Sequence, residues 1–232
     1  MARRIWHRSG GYGALKLTGR RVGAILVKGL GAGVAFLLVG NLAILVTSAW
    51  ARQTTTRSTP TSVEGIDNLR AVDDRVWRGA APTTDGYHNL SRAGIATVVD
   101  LRAEDGLEGD AQVVRSLGMD LVRIPMRDGQ VPTMEEVDAF LAATRESGGR
   151  VFVHCGAGVG RTGAMVGAYE VAKGEVSARD ALRQNLAVGP PSLEQIAFVA
   201  RMGDGSPEKP GTLITAVSRV LDAPRRLWSR VG

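Results

Sequence analysis

The sequence holds one cysteine, Cys155, in 232 residues. No intrachain disulfide is possible, so the fold does not depend on an oxidising compartment. Histidine is nearly as scarce. His7, His88 and His154 stand at no ligand spacing, and with one thiol they leave no donor set for a structural zinc. Acidic residues are missing from residues 1–57, which carry nine Lys or Arg and no Asp or Glu. The middle reverses this, with 15 basic and 21 acidic residues over 58–205. Residues 206–232 return to five basic against two acidic. The formal charge of +6 therefore belongs to the two ends. A nucleic-acid-binding body would present a basic face. This body is acidic, and no nucleic-acid partner is expected.

Charge of either sign is absent from residues 29–49, GLGAGVAFLLVGNLAILVTSA. At about 1.5 Å per residue such a helix spans roughly the 30 Å hydrocarbon core of a bilayer. The run predicts one transmembrane helix over 29–49. Seven basic residues precede it, and only Arg52 and Arg57 follow closely. The positive-inside rule then places the N-terminus in the cytoplasm and the rest of the chain outside. Ala49-Trp50-Ala51 resembles a signal-peptidase site, but the apolar run exceeds a typical signal core, and a retained anchor is expected. Residues 52–63, rich in Thr, Ser and Pro, read as linker.

Beyond the linker, short apolar runs alternate with helical patterns. Val76–Gly79, Ile95–Leu101, Met119–Ile124 and Arg150–His154 read as strands. Gly109–Leu117, Thr133–Ser147 and stretches near 161–173, 177–187 and 192–202 read as helices. Thr133 followed by Glu136 is a capping-box pattern. This alternation predicts an α/β fold, a central mostly parallel sheet flanked by helices, joined to the one N-terminal transmembrane helix. In such sheets ligands bind beyond the carboxyl ends of the strands, where His154 and Cys155 fall.

The segment His154–Gly163, HCGAGVGRTG, follows an apolar strand and opens an apolar helix. Gly156, Gly158 and Gly160 let the backbone curl so that successive N–H groups, with Ala157 and Val159 between them, point inward. The helix N-terminus adds its positive end, and the whole forms a nest for a phosphate dianion. The planar fork of Arg161 can hold two phosphate oxygens at once. The same field favours the thiolate of Cys155, the nucleophile for in-line attack on phosphorus. Thr162 is expected to donate a hydrogen bond to that sulfur. His154 is expected to orient the loop rather than to transfer a proton.

This segment resembles the signature loop of the protein tyrosine phosphatases, in the dual-specificity branch, His-Cys-x-x-Gly-x-x-Arg-Ser/Thr-Gly. The resemblance extends over about residues 66–202. VWRGAAPT at 76–83 is similar to the family's opening strand and turn, and TVVDLR at 97–102 to the strand before its acidic loop. The resemblance implies a two-step reaction through a phosphocysteine, with no metal and no cofactor. It also implies an Asp on a loop before the cysteine strand as general acid, and Asp128 in IPMRDGQVP matches. An Asp before Gly is also a common turn residue. Asp100, in or at the end of a strand, is expected to make structural hydrogen bonds, with Arg102 among its partners. The family often places the hydrolytic water with a Gln on a late helix. Gln195 in PPSLEQIAFV is the candidate, and a surface Gln is the alternative.

The chain thus divides into a basic segment 1–28, a transmembrane helix 29–49, a linker 50–65, a catalytic domain 66–205 and a basic amphipathic tail 206–232. The tail can lie on an anionic bilayer, pack on the body or remain disordered. The substrate expected is a phosphorylated protein or similar phosphomonoester. A phospholipid or phosphoinositide is the alternative, weakened because Arg161 is the loop's only cation and extra phosphates need extra positive partners. A non-catalytic phosphoprotein-binding module and a sulfur-transfer loop are more distant readings.

Overall fold

The computed structural model of the chain describes residues 19–55, 63–104, 107–204 and 209–228. Most of the basic segment expected at 1–28, part of the linker and the ends of the tail lie outside them. Two compact units divide the chain, Met1–Val39 and Gly40–Gly232. One helix, α1, runs Gly19–Thr54. Its stretch Val27–Thr54, which holds an 18-residue window of mean hydropathy 2.2, is long and apolar enough to cross a membrane, as a signal sequence also is.

From Asn41 onward α1 is also part of the second unit. Asn41, Ile44, Ser48 and Ala51 form a stripe at helical spacing that is less exposed than its neighbours. Ser48 donates to the Leu186 carbonyl, Arg52 to that of Val188 at 3.3 Å and Asn41 to that of Leu221 at 3.3 Å. Ala51, fully buried, closes a small apolar cluster with Leu186 and Ala187. This packing carries the helix through Thr54, into residues expected as linker.

The body holds a five-stranded sheet. Its strands are β1 (Arg70–Ala71), β2 (Val76–Gly79), β3 (Ile95–Arg102), β4 (Asp120–Met126) and β5 (Arg150–His154). Their spatial order is β1-β2-β5-β3-β4. Only the β1–β2 pairing is antiparallel, so the mostly parallel sheet expected from the alternation is what forms. The helices are α2 (Thr84–Arg92), α3 (Glu108–Ser116), α4 (Met134–Glu146), α5 (Gly160–Ala172), α6 (Ala178–Val188), α7 (Leu193–Arg201) and α8 (Thr212–Trp228).

Strands β3 and β5 are buried on both faces, which is why they read as unbroken apolar runs. Their register sorts the two faces. Val98 pairs with Phe152 and both join a core with Tyr87, Leu90 and Val114 under α2 and α3. Val99 pairs with Val153, and both join the larger core with Phe140, Met165, Val166 and Phe198 under α4, α5 and α7. Thr133 and Glu136 form the capping box read from the sequence, closing the first turn of α4. The polar helix α2 was not evident in the sequence. It is started by the Thr83 side chain, which accepts from Gly86 N, and it buries only Tyr87, Leu90 and Gly86.

Candidate active site

Central strand β5 ends at His154, so the loop from Cys155 to Gly160 leaves the middle of the sheet and enters α5. Each carbonyl from Cys155 to Val159 accepts a hydrogen bond from the surrounding fold. His154 Nδ1 donates to Cys155 O at 3.2 Å, Ala81 N to Gly156 O at 2.9 Å and Asn68 Nδ2 to Ala157 O at 3.0 Å. Arg78 Nη2 donates to Gly158 O at 3.0 Å and to Val159 O at 3.4 Å. Within a planar peptide the C=O and N–H point in opposite directions. Holding these carbonyls outward therefore turns the amides of residues 156–160 inward, as an anion-binding nest requires.

Two glycines are needed for this path. Gly158 has φ +70°, and a Cβ there would strike the backbone of Gly79 and Ala80. Gly160 lies against the Gln195 amide, and a Cβ there would come within 2.5 Å of Oε1. Asn68, which holds Ala157, is the one non-glycine residue among those described with positive φ, at 55°. A short polar side chain tolerates that region best.

Cys155 is buried, 3% exposed, at the start of the loop. Arg161, equally buried, reaches back from the first turn of α5. Nη1 donates to Glu104 Oε2 at 2.9 Å and to Met126 O at 3.0 Å, and Nη2 to Glu104 Oε1 at 2.8 Å. The hydrogens left over are Nε–H and one on Nη2. They share one edge of the guanidinium, the edge suited to two oxygens of a phosphate. Nε has no hydrogen-bond partner among the described residues, nor does the buried Thr162 Oγ1. An oxyanion in the loop would supply a partner for Nε.

Burial alone would raise the Glu104 pKa, but the Arg161 hydrogen bonds outweigh it and hold the carboxyl below its usual value. Burial alone would lower the Arg161 pKa, and Glu104 more than restores it. The pair is thus a charged one. His154 is fully buried, stacked on Phe152 with centroids 5.5 Å apart. Burial drives its pKa down to about 4, so the ring is neutral near pH 7. A neutral ring bonded to the loop backbone suits the orienting role expected from the sequence.

Asp128 follows β4 in a turn closed by Gln130 N on Arg127 O at 3.2 Å, with Gly129 at φ +76°. Its carboxylate is half exposed and lies 3.6 Å from Arg161 Nε. The turn is pinned from α7: Ser192 Oγ donates to Gly129 O and Gln195 Nε2 to Gln130 O, both at 3.0 Å. Gln195 Oε1 accepts from Ser192 N at 2.9 Å in a second capping box. The Gln195 amide is thus occupied at both ends beside Gly160. Asp100 is bound to Arg102 by two side-chain contacts of 3.0 and 2.9 Å, as expected.

Sequence reasoning missed Glu104, Arg78, Asn185, Asn68 and Ser192. Arg78 and Ser192 carried a signal, Ser192 in the Ser-x-x-Gln capping pattern with Gln195. In a strand, residues two apart share a face, and Arg78 shares its face with the apolar Val76.

A family model described as DSP-PTPase phosphatase fused to NAD+ kinase matches residues 48–201. NAD kinase 2, chloroplastic, of Arabidopsis thaliana is 36% identical over 113 residues, 46% of this chain and 11% of that protein. The tyrosine-protein phosphatase CDC14 of Candida albicans is 36% identical over 72 residues, 27% of this chain and 13% of that protein. The chain therefore spans only a small part of the length of these relatives. Among solved structures, the core catalytic domain of the PP-IP phosphatase SIW14 from S. cerevisiae has the same fold. Its TM-score is 0.53 at 15% identity, covering 62% of this chain and 95% of that one.

Proposed function

The chain belongs to the DSP-PTPase phosphatase family described by its fusion to NAD+ kinase, and on that premise we propose that it hydrolyses phosphorylated proteins through a phosphocysteine on Cys155. The observation that carries the reading is the loop itself. Five consecutive carbonyls are held outward around a buried thiol, and the Nε–Nη2 edge of Arg161 is left for an oxyanion.

In the first step the Cys155 thiolate attacks phosphorus in line. The S–P bond forms as the P–O bond to the leaving group breaks. The inward amides and Arg161 hold the three equatorial oxygens as charge spreads over them. Asp128 gives its proton to the departing oxygen. In the second step water attacks the phosphocysteine, Asp128 takes a proton from it, and phosphate leaves with the thiolate restored. Gln195 serves that water only if its amide exchanges the Gln130 or Ser192 contact for it. Thr162 Oγ1 donates to the sulfur when the thiolate is the leaving group.

The domain reading assigns 66–205 to catalysis and the apolar part of α1 to a single-pass anchor, with the N-terminus cytoplasmic and the catalytic body on the other side. The basic residues ahead of the run and the apolar Val27–Thr54 stretch support this. Because Asn41–Thr54 also packs on the body, the full chain in detergent is the material to assay.

The experiment is metal-free hydrolysis of p-nitrophenyl phosphate and of a phosphotyrosine peptide, wild type against Cys155→Ser. Turnover that Cys155→Ser abolishes is expected. Turnover of phospholipid vesicles with none on peptides would move the substrate to lipid. Peptide binding without turnover by a folded wild type would make the domain a binding module.

A further inference from the structure

Arg78 lies on β2 on the face of the buried Val76 and is itself 3% exposed. A guanidinium this deep is costly unless its donors are met. Nη1 donates to Asn185 Oδ1, and Nη2 to Gly158 O and Val159 O, while Nε has no hydrogen-bond partner among the described residues. Asn185 extends the connection, its Nδ2 donating to Gly163 O at 2.7 Å in the first turn of α5. One side chain and its amide relay thus hold the end of the loop and the start of the helix together. Gly163 lies close beneath this relay, since a Cβ there would sit 3.3 Å from both Arg78 Nη2 and the Asn185 amide.

The geometry has a direct chemical consequence. The carbonyls of Gly158 and Val159 belong to the peptide units that carry the amides of Val159 and Gly160. Drawing those carbonyls down to a cation turns the two amides toward the anion site and polarises them. The charge also has to be balanced. Burial lowers the Arg78 pKa to about 10, which leaves it a cation at neutral pH. Glu170 on α5 and Cys155 are the negative partners it feels, and Arg70 on β1 opposes it. Burial pushes Glu170 up to about 7, so near neutrality that carboxyl is only partly charged. The thiolate, or a phosphate bound above it, is then the remaining counter-charge.

We propose that Arg78 is a positioning residue of this site: through the Gly158 and Val159 carbonyls and Asn185 it sets the inward amides and lends a second, buried positive charge to the Cys155 thiolate, without touching substrate. The proposal rests on the phosphatase reading, and it deepens that reading by adding a cation beneath the loop to the one at its rim.

The test uses the full chain in detergent and the variants Arg78→Met, Arg78→Lys and Asn185→Ala. Fold is checked by far-UV circular dichroism and thermal melting. The readouts are kcat and KM on p-nitrophenyl phosphate, inhibition by inorganic phosphate, and the rate of Cys155 alkylation by neutral iodoacetamide from about pH 5 to about pH 9. Arg78→Met should lower kcat/KM by about 100-fold. It should also weaken phosphate inhibition about tenfold and move the alkylation profile to higher pH. Arg78→Lys keeps the charge but not the fork, so it should restore the alkylation profile while kcat stays low. Asn185→Ala should fall between, with kcat/KM down about tenfold. A folded Arg78→Met with unchanged phosphate inhibition and alkylation profile would overturn the proposal. If Arg78→Met does not fold, Asn185→Ala decides, and unchanged kcat and phosphate inhibition overturn it. An inactive wild type would instead sink the phosphatase reading, while alkylation and phosphate binding would still judge Arg78.

Discussion

Glu104 grips Arg161 end-on, with 2.9 Å from Nη1 to Oε2 and 2.8 Å from Nη2 to Oε1. Together with Met126 O this fixes the rotation of the guanidinium and points its Nε–Nη2 edge away from the pair. Glu104→Ala should lower kcat/KM for p-nitrophenyl phosphate roughly tenfold, by freeing that rotation. Glu104 is half exposed but Arg161 is buried, so the donors left unpaired should also cost about 1–3 kcal/mol of stability. Steady-state kinetics and thermal melting of the same variant check both halves. A large loss of stability with intact kinetics would make the pair a structural strut.

Asp128 is expected to protonate the leaving group, and the quality of that group reports it. Asp128→Asn should reduce kcat by about 100-fold on phenyl phosphate and much less on p-nitrophenyl phosphate, whose leaving group needs little protonation. An equal loss on both esters would mean that Asp128 acts by holding Arg161, 3.6 Å away, rather than as the acid.

Two buried groups give opposing pH dependences of stability. His154 falls from 6.5 to about 4 on folding. The unfolded chain therefore takes a proton that the folded one refuses, and stability drops as pH falls from 6.5 toward 4. Glu170 rises from 4.5 to about 7, so the folded chain keeps a proton that the unfolded one releases. Its contribution is present below 4.5 and lost as pH rises through 7. Between these limits the two slopes offset. Glu170→Gln removes the second and should leave stability climbing with pH up to about 6.5. It should then exceed wild type at about pH 8 by on the order of 1–3 kcal/mol. Chemical denaturation across this range measures it. Parallel curves for wild type and variant would contradict the account.

Ala51 ties α1 to the body, with no exposed surface, against Leu186 and Ala187. Ala51→Asp places an unpaired carboxylate in that contact and should cost about 2 kcal/mol or more. Ala49→Asp, two residues away and exposed, serves as the control. Equal melting temperatures for the two variants would show that the helix end does not pack there in solution.

The phosphate loop was legible because its chemistry is local. The strand, the thiol, the glycines, the arginine and the helix are contiguous from Arg150 to Ala172, and each constrains the next. The turn that carries Asp128 was legible for a similar reason, bounded by Gly129 and Pro132 after a strand. The residues that hold these parts together were not legible, because they arrive from elsewhere in the chain. Glu104 meets Arg161 across 57 positions, and Arg78 meets Asn185 across 107. No local pattern marks such pairs. Helix α2 escaped because TDGYHNLSR is polar and includes a glycine, so its start rests on the Thr83 cap rather than on periodicity. Gln195 is the residue expected to place water, and the same Ser-x-x-Gln spacing also makes a capping box that pins the turn carrying Asp128.

The central claim is transfer of the phosphoryl group to sulfur, and trapping it is the most direct measurement. The chain mixed with a radiolabelled phosphotyrosine peptide and acid-quenched within the first turnover should carry label on the peptide containing Cys155. The label should be greater in Asp128→Asn if hydrolysis is slowed more than transfer, and absent in Cys155→Ser. Phosphate release at the wild-type rate in Cys155→Ser, with no label on Cys155 of the wild type at any time, would contradict the account.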